Sequence, residues 1–203
     1  MEGMDRQDKM VVLLGIIIIA VAVVGIAYHE KTYVASEEVE KVSYKVSWEE
    51  HSDEIMEEGY VGKAEDWQNT YDITLDDDNA CIYKVEIKIT WSDDRDFHGL
   101  ILPWNWSDVI DATVSIDEMQ FSQSSSGYGI IEMVATSDRP SDFKVDTADE
   151  EKVSEIIKEK GVINSINCNI DLSILAKPMF LDRGNDFTLY ITYHYCTPEI
   201  VTM

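Results

Sequence analysis

Two acidic runs are the residues of this chain best suited to chemistry: Asp76-Asp77-Asp78-Asn79 and Asp93-Asp94-Arg95-Asp96. Carboxylates converging from neighbouring loops supply hard oxygen ligands, and calcium takes about six to eight of them. Asp76, Asp78, Asp93 and Asp94 are therefore the candidate metal ligands, and Ca2+ is the cofactor they would take. Neither run has EF-hand spacing, and solvated turns are the other reading. Cys81, Cys168 and Cys196 allow one disulfide and leave one thiol over. Alternation places Cys81 and Cys168 on inward strand faces and Cys196 outward. A bond between Cys81 and Cys168 across the core is the expected pairing, and three buried, reduced thiols are the alternative.

The loop Pro103-Trp104-Asn105-Trp106-Ser107 sets two tryptophans around a polar residue. Trp104 and Trp106 would make a stacking platform for a sugar or an anchor for a protein partner, or they plug one end of the fold. Asn105-Trp106-Ser107 is also a glycosylation sequon. The histidines (His29, His51, His98 and His194) are scattered. No G-x-S-x-G elbow or H-E-x-x-H helix accompanies them, so no enzyme is expected.

The elements that must position these groups begin with an apolar run. Met10 to Ala27, MVVLLGIIIIAVAVVGIA, carries no charge. As a helix it would be roughly 27 Å long, close to a hydrocarbon core of about 30 Å. The expected organisation is a cytoplasmic tail at 1–9, a transmembrane helix at 10–28, an acidic juxtamembrane region at 29–69 and an outer β domain at 70–203. A secretory signal cleaved after Ala27 is the rival reading.

Period-two alternation marks the strands. Val42, Tyr44, Val46 and Trp48 predict one strand, followed by a loop or short helix from Glu49 to Asp66. Tyr71, Ile73 and Leu75 predict a second. Cys81, Tyr83, Val85, Ile87, Ile89 and Trp91 share one face of the clearest strand. A bulge is expected after Ile116, a turn over Ser122–Gly127, and further strands over 129–135, 167–176 and 187–196. Thr147 and Glu150 read as a capping box opening one short helix, which Gly161 closes in a left-handed conformation. About seven strands and one helix predict a mainly β fold, an immunoglobulin-like or jelly-roll β-sandwich behind a single transmembrane helix.

Charge narrows the function further. Forty acidic residues against 16 basic ones give a net charge of −24, which excludes a nucleic-acid binder and disfavours docking on anionic lipid. With 45% hydrophobic residues, a packed core is within reach. The stretch Tyr83-Lys84-Val85-Glu86-Ile87-Lys88-Ile89-Thr90-Trp91-Ser92-Asp93-Asp94 is similar to a strand of acidic archaeal surface domains that carry one N-terminal membrane anchor. The stretch Arg183-Gly184-Asn185-Asp186-Phe187-Thr188-Leu189-Tyr190-Ile191-Thr192-Tyr193 resembles their closing strand. The resemblance implies an anchored outer β-sandwich, that is, fold and topology rather than an activity. The expected function is a non-catalytic, single-pass surface domain that binds another envelope or membrane-complex protein. The alternative is a ligand- or calcium-binding receptor domain.

Overall fold

A computed structural model describes residues 10, 15–24, 41–62, 65–93, 108–175 and 184–203. The chain divides into two units, Met1–Glu40 and Lys41–Met203. In the first, residues 15–24 form a helix, α1, with Ile16, Ile17, Ile18, Ile19, Val21, Val23 and Val24 all exposed. Among the described residues no helix is long and apolar enough to cross a membrane. Residues 11–14 and 25–28 of the expected span lie outside them.

Among its described residues the second unit has nine strands and one α-helix: β1 (Val42–Gly62), β2 (Asp66–Thr74), β3 (Cys81–Asp93), β4 (Val109–Ile116), β5 (Phe121–Tyr128), β6 (Ile130–Thr136), β7 (Phe143–Thr147), α2 (Glu150–Glu159), β8 (Ser165–Leu175) and β9 (Gly184–Thr202). They form two antiparallel sheets, ordered β6-β3-β9-β1-β7 and β2-β8-β4-β5. The main core lies between the sheets. Val85, Ile87, Ile89, Leu189, Ile191 and Met133 from the first pack with Ile110, Val114, Ile166, Cys168, Ile170 and Leu172 from the second. A smaller cluster joins Val153 and Ile157 of α2 to Tyr44 and Val46, on the outer face of the five-stranded sheet.

Several expectations need correction. β1 does not stop at Trp48; it runs 21 residues, about 70 Å at roughly 3.3 Å per residue. Its second half hides its alternation because polar side chains occupy the inward positions. His51 stacks on Tyr195, Asp53 accepts from the Tyr195 hydroxyl at 3.1 Å, and Glu57 accepts from Tyr71 and Asn69. With β1 and β2 in its sheets, the β unit begins at Lys41 rather than at residue 70. The serine run 122–126 is part of edge strand β5, not a turn. The reversal before it is a 3-10 turn at Asp117–Met119, closed by Gln120 at φ 52°. The helix cap is Asp149, whose carboxylate accepts from Lys152 N at 2.9 Å, while Thr147 ends β7. Gly161 adopts the expected left-handed φ, 77°. β8 and β9 do not form a hairpin; they belong to different sheets.

Gly59 shows how tightly the long ribbon packs. It sits opposite Phe187, and a Cβ there would lie 2.4 Å from the ring. That ring meets Trp67 of β2 edge-on, with centroids 4.9 Å apart, and so ties the sheets together. Gly59→Ala is expected to push the ring off Trp67 and cost about 1–3 kcal/mol, as overpacking does. Urea denaturation followed by tryptophan emission checks this; an unchanged midpoint refutes it.

Candidate functional site

The two outer faces of the sandwich have opposite chemistry. On the four-stranded sheet most outward side chains are small and polar and pair across strands, with Tyr128 at the edge as a large exposed exception. Gln68 donates to Asp171 at 2.9 Å, Thr70 to Asn169 at 2.7 Å, and Ser126 to Asp111. Thr113 pairs with Ser124, and Thr74 with Ser165, both at 2.9 Å. Such a face is saturated with its own hydrogen bonds and with water.

The five-stranded sheet differs. Register places three rows of four residues on its outer face: Glu54, Thr192, Glu86 and Val134; Met56, Tyr190, Lys88 and Glu132; Glu58, Thr188, Thr90 and Ile130. Met56 is 59% exposed, and Ile130, Val134 and Tyr60 are each nearly half exposed. The first two rows border a shallow depression of about 450 Å³. α2 covers another part of this face, over Tyr44 and Val46 and beside Phe143 and Val145 of the edge strand β7. The open part is thus apolar at scattered points and acidic between them, with Lys84 and Lys88 as counter-charges. Lys84 lies 2.5 Å from Glu86, and His194 Nε2 lies 3.1 Å from the same carboxylate. These two contacts, Lys84 first, hold the Glu86 carboxyl below its ordinary value.

The residues singled out from sequence distribute differently. Asp76 and Asp78 precede β3, and Asp93 ends it, so a strand of 13 residues, about 40 Å, separates the two acidic runs. Asp76 and Asp78 therefore stand at the opposite end of β3 from Asp93. Asp78 instead pairs with Lys158 of α2 at 3.3 Å, and the Asp77 carboxylate accepts from Asn79 N within its own turn. Among the described residues no group of three His, Cys, Asp or Glu side chains is placed to hold a metal ion. Asp94, Trp104 and Trp106 lie outside the described residues.

All three cysteines are free and buried. Cys168 sits in the main core, where burial alone pushes its thiol up to about 12. Cys81 faces Cys196, not Cys168. The reason is a register shift between Ile82 and Lys84, which turns Ile82 into the core and Cys81 to the opposite face. A bulge of this kind reverses every face assigned before it.

The sequence also gave no sign of a buried polar pair beside the last residues of β3. Asn185 Nδ2 donates to the Asp108 carboxylate at 3.3 Å, and Trp91 Nε1 donates to the Asp108 carbonyl at 3.2 Å.

The Glu86 contacts give a pH test. Its folded pKa lies below the ordinary 4.5, so the unfolded chain binds more protons as the carboxylate range is crossed. The stability it contributes is present above that value and lost as pH falls through the folded one. Wild type should exceed Glu86→Gln in stability at pH 7, and the gap should close in acid. A gap independent of pH in urea titrations contradicts this.

No protein-family model matches the chain, and no curated protein matches it in sequence.

Proposed function

We propose that this protein is a membrane-anchored, non-catalytic cell-surface domain whose outer five-stranded face binds another envelope or membrane-complex protein. The observation that carries the reading is the contrast between the two outer faces. One spends its hydrogen bonds on itself. The other leaves Met56, Ile130, Val134 and Tyr60 in water among Glu54, Glu58, Glu86 and Glu132. Exposed apolar side chains grouped on one face and rimmed by charge are the composition of a contact surface. Four carboxylates against Lys84 and Lys88 favour a partner with a basic rim and an apolar centre.

The anchor is argued from α1. Its described residues are apolar on every side, with isoleucine and valine exposed around the circumference. A helix of that kind needs an apolar medium, and the uncharged run Met10 to Ala27 that contains it has enough residues to approach the thickness of a bilayer core. Residues 1–9 are then the cytoplasmic tail, and the β unit lies outside. The large negative charge keeps that unit soluble and free of nonspecific association.

A photo-crosslinking amino acid placed at Val134 in native membranes tests the surface, with Thr113 on the polar face as control. A discrete adduct is expected from position 134 only, and Met56→Glu should abolish it by placing another carboxylate in the patch. Equal labelling from both positions, or none, overturns the reading. Retention of the full chain in the membrane after alkaline carbonate washing tests the anchor separately.

A further inference from the structure

Cys81 and Cys196 form a dithiol site that neither acidic loops nor the outer patch explains. They are register partners on β3 and β9, 3% and 0% exposed. Directly opposed residues of an antiparallel pair have Cα atoms about 4.5–5.5 Å apart, within the roughly 4.4–6.8 Å a disulfide spans. The Cys81 thiol donates to the Ile82 carbonyl at 3.7 Å, and the Cys196 thiol reaches across to the Cys81 carbonyl at 3.6 Å. The neighbouring Cys196 thiol lowers Cys81 from the ordinary thiol value while Cys196 itself is raised, so Cys81 is the member of the pair that ionises first. Cys168 has Tyr71 and Ile116 as its register partners, and burial raises its thiol.

Over the pair lies a cover made of surface groups. Arg139 forms an ion pair with Glu50, the register partner of Cys196, and its guanidinium stands 5.7 Å from the centre of the Tyr83 ring. The Arg139 and Glu50 side chains are each about half exposed, so water screens their attraction. Tyr83 occupies the bulge, where the β3–β9 ladder is already interrupted. The cover is the weakest part of the enclosure and the route to the sulfurs.

We propose that Cys81 and Cys196 are a redox pair that closes to a disulfide by thiol–disulfide exchange, leaving Cys168 as a thiol. The oxidant is a disulfide, either of a small thiol or of an oxidoreductase. The Cys81 thiolate attacks one sulfur of that disulfide, whose S–S bond breaks and releases a thiolate. Cys196, giving up its proton, then displaces the remaining oxidant sulfur and forms the Cys81–Cys196 bond. Two electrons pass to the oxidant, and the two protons end on its thiols. The bond closes across 115 residues of separation and ties the start of β3 to the middle of β9. Long enclosed loops restrict the unfolded chain most.

The test uses the full chain in detergent, reduced, then exposed to oxidised glutathione. Maleimide labelling under denaturation should fall from three thiols to one, and peptide mapping should recover a Cys81–Cys196 linkage. The oxidised chain should melt at a higher temperature than the reduced chain. Cys81→Ser and Cys196→Ser should each abolish the intramolecular bond and this redox shift, while Cys168→Ala keeps both. Three persistent thiols, a bond that includes Cys168, or an intermolecular bond overturns the proposal. The wild-type result stands even if a variant fails to fold. Because the oxidant is supplied, the outcome does not depend on which side of a membrane the domain occupies.

Discussion

The antiparallel pairing of β1 with β9 is the constraint on which the β unit rests. It runs unbroken from Tyr44 opposite Thr202 to Gly62 opposite Gly184. It joins the first strand of the unit to its last, so the cost of closing a long chain segment must be met before any rung forms. A one-residue slip would turn Phe187, Leu189 and Ile191 out of the core. Hydrogen bonds along the ribbon oppose that slip: His51 with Thr197 at 3.0 Å, Thr192 to Glu54 at 3.2 Å, and Tyr195 to Asp53. β9 is also the central strand of its sheet, with β3 on its other side. One face of it fills the core, and the other carries Tyr190, Thr192, His194 and Cys196.

Those polar rungs explain how much of the fold was legible. β3, β8 and the apolar half of β9 bury one face against a dry core, and Val85–Ile87–Ile89 or Ile170–Leu172–Ile174 announce it by alternation. β1 beyond Trp48 sets an exposed Asp53 and half-buried His51 and Glu57 against tyrosines, so its inward residues look like solvent-facing ones. β5 is an edge strand with serine at half of its positions, and its chemistry reads as a turn. The strand signal is a signal of apolar burial. It fails where burial is satisfied by hydrogen bonds or where there is little burial at all.

The candidate sites failed or held for a related reason. The acidic runs looked convergent because nothing local says that a 13-residue strand stands between them. The cysteines were assigned by counting residues from the apolar positions, and one bulged residue, Tyr83, changes the parity of that count. Neither the outer patch nor the dithiol has a motif. Both exist only through register, which places residues from β1, β9, β3 and β6 side by side, and register between strands so far apart in the chain is not written in any short stretch of it.

Patch and dithiol share strands, and this has a mechanical consequence. Moving from Cys196 toward the patch, β9 presents His194, Thr192 and Tyr190 in turn on the same face, and β3 presents Lys84, Glu86 and Lys88 beside them. The ladder between these strands is weakest at the bulge, where the register shifts. A covalent bond at Cys81 and Cys196 clamps the strands on the far side of that weak point. The Lys84–Glu86–His194 cluster is then held between an intact ladder and a covalent rung, and the spacing of the patch beyond it no longer depends on how well an interrupted ladder holds. If the patch binds a partner as proposed, through its four carboxylates, two lysines and a few apolar side chains, it gains from that rigidity, because ordering those groups is part of what binding must otherwise offset.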